Sequence, residues 1–125
     1  MTNGLGISYL NMDEIDRAKV LYDSLLRKKS LAILYNNRGI VQSYLSLRER
    51  HQKNQKDEAK FSTLSMQDFE KGLEVDSTKK AYHVNIGNVY KNRNEETLAI
   101  EHYQLYLSKN AINNMGVLFG KDTRK

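Results

Sequence analysis

A spaced set of small and aromatic residues occurs twice along this chain, as Leu5-Gly6, Tyr9, Ala18, Tyr22 and as Ile86-Gly87, Tyr90, Ala99, Tyr103. In both copies glycine to the first tyrosine is three residues, glycine to alanine twelve, and alanine to the second tyrosine four. Self-similarity of this kind constrains the fold more than any composition does, because one repeat unit cannot bury its apolar face alone and must stack on a neighbour. At 125 residues the chain has room for one domain or a stretch of stacked repeats. Its lack of proline and its helix-forming composition predict an all-α fold. The absence of cysteine excludes disulfides and thiolate–metal sites.

Helical periodicity places the elements. A short first helix is expected from about Asn3 to Asn11. Asn11 or Asp13 can cap a second helix, which carries Glu14 and Asp16 in its first turn, where the helix dipole favours acids. That helix lines up Ile15, Ala18, Tyr22 and Leu25 on one face and ends in Arg27-Lys28-Lys29. Ser30 is the expected cap of a third helix holding Leu34, Ile40, Val41, Tyr44 and Leu47. From Arg48 to Lys60 the only apolar residue is Ala59; Phe61, Leu64, Phe69 and Leu73 then resume a helical pattern that stops near Asp76-Ser77. A helix over about 79–92 follows. Asn94 is expected to cap the next, which runs to about Lys109 with Leu98, Ala99, Tyr103, Tyr106 and Leu107 buried. A last helix carries Met115, Val117, Leu118 and Phe119. The count is seven helices joined by short turns, hence antiparallel neighbours.

The repeated spacing resembles the tetratricopeptide repeat, a 34-residue helical hairpin with a W-x2-L-G-x2-Y…A-x3-F…P pattern. Two partial copies join the two full ones: Tyr35-Asn36-Asn37-Arg38-Gly39 with Phe69, and Asn113-Asn114-Met115-Gly116 with Phe119. Glycine on one helix and alanine on the next let a pair approach closely, and the aromatic residues fill the space beside that contact. Gly6 to Gly39 spans 33 residues, but Gly39 to Gly87 spans 48 and Gly87 to Gly116 spans 29. The surplus lies between Gly39 and Phe69, which are 30 apart where the full copies give 16. With no glycine or proline in it, the surplus predicts two lengthened helices that project a hairpin about 10 Å beyond the stack. A disordered loop is the alternative.

The resemblance implies a right-handed α-solenoid of antiparallel hairpins forming a single domain over 1–125. Its repeats fall at about 1–30, 31–77 (with an insertion at about 48–60) and 78–109, with a capping helix at 110–120. It also implies that the first helix of each hairpin lines a concave groove, and that the residue two before the glycine points into it. Those residues are Asn37, Asn85 and Asn114. One turn on, Ile40, Asn88 and Val117 line the same surface, with Asn36, Val84 and Asn113 nearby. A carboxamide offers both donors and an acceptor, so a ladder of asparagines can pair with a peptide backbone whatever its sequence. A carboxylate clamp of the kind some relatives use is disfavoured, because lysine near the groove is limited to Lys91 and a carboxylate needs charge-assisted partners.

The net charge is +5, with 20 basic residues interspersed among 15 acidic ones. Arg48, Arg50, Lys53, Lys56 and Lys60 could meet phosphates. Glu49, Asp57 and Glu58 interrupt them, however, and no aromatic among them offers a stacking platform, so nucleic acid is disfavoured as a partner. His51 reads as a surface residue, His83 as packed between helices, and His102 as facing outward. No two histidines share metal-ligand spacing, and no phosphate-binding or nucleophile motif is present. The expectation is a non-enzymatic scaffold that needs no cofactor or metal and binds an extended peptide or a partner helix. The alternative is a self-assembling or structural subunit, or a fragment of a larger repeat protein. A first helix entered part-way and a last helix without a partner leave open solenoid ends, which points to a longer parent chain, a homo-oligomer, or Met115–Phe119 as a cap. The start has no basic n-region or long apolar core, and no apolar run approaches membrane-spanning length. This predicts a cytoplasmic protein without membrane insertion.

Overall fold

Strong helix formers unbroken by proline leave only short polar segments to end each helix. The computed structural model, which describes residues 14–107, is helical throughout these elements: α1 (Ile15–Lys28), α2 (Ala32–His51), α3 (Gln55–Val75), α4 (Tyr82–Asn92) and α5 (Glu96–Tyr106). The expected first and last helices lie outside the described residues. The chain divides into two compact units between Lys79 and Lys80, so α1–α3 belong to one and α4–α5 to the other. Among the described residues no helix is long and apolar enough to cross a membrane.

In the first unit α1 packs on α2 through Ile15, Ala18, Tyr22, Leu34, Val41 and Leu45, with Leu25, Leu26 and Phe61 against them. Ala18 and Tyr22, four residues apart on one face of α1, are both fully buried. Between α2 and α3 the close approach is made by Gly39. A Cβ built there would lie 2.6 Å from Phe69 Cε1, a distance that no methyl can occupy. Ser65, four residues before Phe69, is also fully buried, and its hydroxyl donates to the Gly39 carbonyl at 2.9 Å. In the second unit a Cβ on Gly87 would lie 2.5 Å from Tyr103 Cε1 and 3.1 Å from the Ala99 carbonyl oxygen. Both hairpins thus share one contact: a glycine, a small residue, and an aromatic ring four residues after it. Tyr22, like Phe69, is a core ring, whereas Tyr90 and Tyr103 are half-buried.

The turns match as well. Lys53 (φ 59°) and Asn94 (φ 64°) are left-handed, each one residue past a helix C-cap. The Asn54 amide donates to the Glu49 carbonyl and the Lys53 amide to the Arg50 carbonyl. In the second hairpin the Glu95 amide donates to Tyr90 and the Asn94 amide to Lys91. Both are Schellman turns, which satisfy the last carbonyls of a helix by reversing the chain through one left-handed residue. From glycine to left-handed residue is 14 positions in the first hairpin and seven in the second; from there to the aromatic is 16 and nine. The surplus therefore divides equally, seven residues to each helix. Seven residues are close to two turns, so the added stretch rises about 10 Å without rotating the faces out of register. Residues 48–60 are helical except for the turn, where the Asn54 side chain caps α3 by accepting from the Asp57 amide at 3.1 Å.

Four local expectations are corrected. Glu14, expected in the first turn behind a cap at Asn11 or Asp13, is itself the N-cap of α1. Asn94 does not cap α5; Glu95 holds that position, and Asn94 supplies the positive φ that an Asn tolerates better than most residues. Ser30 does not cap α2: Leu31 is the N-cap, and the Ser30 hydroxyl donates to the Tyr35 hydroxyl at 3.4 Å. Leu98 is exposed rather than buried: one position from Ala99, it is turned about 100° around α5 from the residue that meets Gly87. Lys53 is an unsuited residue for its turn, since a Cβ in the left-handed region crowds the following carbonyl. Lys53→Gly should stabilise the first unit by about 0.5–1 kcal/mol, read as a higher urea midpoint. Asn94→Gly should change the second unit less.

Candidate functional site

The expected groove residues fall in both units. Asn36 and Asn37 on α2 are buried, at 6% and 3% exposure, and Ile40 is half-buried. Asn37, expected to face an open groove, instead sits beside the Tyr22 hydroxyl in the contact between α1 and α2. Burial pushes the Tyr22 phenol pKa up, and the neighbouring Asn37 carboxamide opposes that rise. The Asn37 amide nitrogen makes no hydrogen bond. Burying an unpaired donor has a cost, so Asn37 leaves one polar group unsatisfied inside this unit. On α4, Val84 and Asn85 are half-buried and Asn88 is exposed. The Asn88 carboxamide oxygen accepts from the Tyr103 hydroxyl at 2.6 Å, which fixes the side chain across the hairpin. Asn113, Asn114 and Val117 lie outside the described residues.

The first unit also holds a polar cluster that no sequence motif marks. Arg38 grips Asp68 bidentately, with Nε to Oδ2 at 2.9 Å and Nη2 to Oδ1 at 2.8 Å, and reaches Asp23 through Nη1 at 3.0 Å. Gln42 Nε2 adds a bond to Asp68 at 2.8 Å, and Lys19 pairs with Asp23 at 2.9 Å. The hydrogen bond to Asp68 raises the Arg38 guanidinium's pKa, and burial works against it. One fork-shaped cation thus ties α1, α2 and α3 together, geometry that lysine cannot reproduce. The sequence signal is positional: Arg38 precedes Gly39 and Asp68 precedes Phe69, so the residues flanking the close contact face each other. Of the basic residues near the turn, Arg48 pairs with Asp16 and Glu49, and Arg50 with Glu58.

In the second hairpin the residue before the aromatic is His102. It does not face outward as the sequence suggested. Its Nδ1 lies 3.1 Å from His83 Nδ1, the two rings stack at 5.3 Å and 28°, and Tyr90 tilts against His102 at 5.4 Å. The register set by Gly87 and Tyr103 brings residues 19 apart to the same level of the hairpin, a pairing visible only once the turn is fixed. Burial, then the positive charge of a protonated His102, then Lys80 lower the His83 pKa. The unfolded chain therefore binds more protons than the folded one below the ordinary value of 6.5. The His83 contribution to stability is present above that pH and is lost as pH falls from 6.5 toward the depressed folded value. Besides His102 and Lys80, Tyr90 and the Arg93 guanidinium over its ring stand at this place. Relative to its intrinsic pH dependence, amide exchange in α4 should become less protected between pH 7.5 and 5.5, and His102→Asn should reduce that response only in part, because burial of His83 is the larger cause.

No family model matches this chain, and no curated protein or solved structure matches it either.

Proposed function

We propose that this chain is a non-catalytic binding module of tetratricopeptide-like hairpins stacked as a right-handed solenoid. Its first helices line a concave surface for an extended peptide or a partner helix. The observation that supports this reading best is the matched build of the two described hairpins. Each has a glycine under an aromatic ring and a three-residue Schellman turn, and they differ by two helical turns in each arm. A chain that repeats one hairpin at two lengths is built for surface rather than for a single enclosed pocket. Ile40 on α2 and Val84, Asn85 and Asn88 on α4 are the described residues through which a ligand is held.

Peptides selected from a random display library against the full chain test this reading. Binding should weaken about ten-fold or more in Asn85→Ala and Ile40→Asp, a loss of about 1.4 kcal/mol or more. Glu101→Ala should leave it unchanged. A library that yields no ligand contradicts the reading. The second reading, self-assembly, is favoured by exposed Ile100 and Leu105 on α5, at 52% and 48%. Sedimentation showing a concentration-dependent dimer, dispersed by Ile100→Glu, would support it.

A further inference from the structure

The hairpin of α4 and α5 carries two imidazoles that peptide binding does not use. We propose that His83 and His102 form a two-imidazole site for a divalent transition-metal ion of the zinc, nickel or copper class. Their Nδ1 atoms lie 3.1 Å apart. Two nitrogen donors about 2.0–2.1 Å from one ion, at angles between square and tetrahedral, stand about 2.9–3.4 Å apart. The observed separation falls in that window without any movement of the helices. In the metal-free chain the two Nδ1 atoms share a hydrogen bond, one ring donating and the other accepting, and an ion would take the place of that proton.

The pair is held in place by the backbone. Its two ligands come from the two arms of one hairpin, whose register is set by Gly87 against Tyr103 and closed by the turn at Asn94. Ligands fixed in this way lose little freedom on binding. Imidazole selects borderline ions over magnesium or calcium. Among the described residues no group of three or more His, Cys, Asp or Glu could hold a metal, so water completes the shell and the ion exchanges readily. Lys80, and Arg93 over the Tyr90 ring, add positive charge nearby and keep the affinity modest.

The test uses tag-free full-length protein, heated with ZnCl2, NiCl2 or MgCl2 at pH 7.5. Zinc and nickel should raise the melting temperature of the second unit by about 3–6 °C, and magnesium should not. His83→Asn and His102→Asn keep a hydrogen-bonding side chain and should abolish the rise; His51→Gln should preserve it. If either variant unfolds, long-range proton–nitrogen spectra of the wild type decide, with zinc expected to move the Nδ1 signals of His83 and His102. The absence of a rise, an equal rise in either hairpin variant that folds, or signal changes confined to His51 would overturn the proposal.

Discussion

Replacing Arg38 by methionine should destabilise the first unit by about 3–5 kcal/mol, because it strands a buried carboxylate. Asp68 is 6% exposed along its side chain and takes three of its hydrogen bonds from Arg38 and Gln42. Without the guanidinium, that carboxylate keeps only the Gln42 bond and must either stay charged in an apolar setting or take up a proton. The cost is a property of the pair rather than of the arginine. The double variant Arg38→Met, Asp68→Leu removes both charges and should recover most of the loss, since well-packed apolar replacements of buried ion pairs are often neutral. Urea unfolding followed by amide exchange in α2 separates the two outcomes. Failure of the double variant to recover would mean that Asp23, which Arg38 also holds at 3.0 Å, carries more of the tie than Asp68 does.

Phe69→Ala should cost about 3–5 kcal/mol, the range for emptying a buried aromatic site. Phe69 is 1% exposed and lies over Gly39. The glycine gives this prediction a sign test. Gly39→Ala improves helix propensity by about 1 kcal/mol but places a methyl 2.6 Å from the ring. It should therefore destabilise the wild type by about 1–3 kcal/mol. In a Phe69→Ala background the clash is gone, and the same substitution should stabilise. An effect of Gly39→Ala that reverses sign between the two backgrounds, read as a large coupling energy in the double-mutant cycle, identifies ring-on-glycine packing as the cause. The corresponding cycle at Gly87 and Tyr103 should show the same reversal in α4, at smaller amplitude because that ring is only half-buried.

The helical class was legible because it rests on periodicity and on the absence of proline, signals spread over many residues. The glycine–aromatic contacts were legible for a related reason: the full copies share one spacing, and a surplus divided equally between the two arms leaves the same faces in contact. Less visible was whatever depends on one residue's setting. Lys53 gives no local sign of a left-handed turn, and Asn94 suits a helix cap and a left-handed turn equally. The burial of Asn36 and Asn37 could not be read from their place before Gly39, because it depends on how α1 covers α2. His102 looked outward by its neighbour Glu101, yet its position before Tyr103 places it inside the hairpin. Arg38 and Asp68 are 30 residues apart, and they are neighbours because the turns added to the two arms are equal.

The most direct test of the binding account is an amide-shift map of the labelled full chain with a peptide selected against it. The account predicts shifts at Ile40 on α2 and at Val84, Asn85 and Asn88 on α4, with the exposed residues of α3 and α5 unmoved. Shifts gathered instead on Ile100 and Leu105 of α5, or on the charged residues around the 52–54 turn, would contradict it.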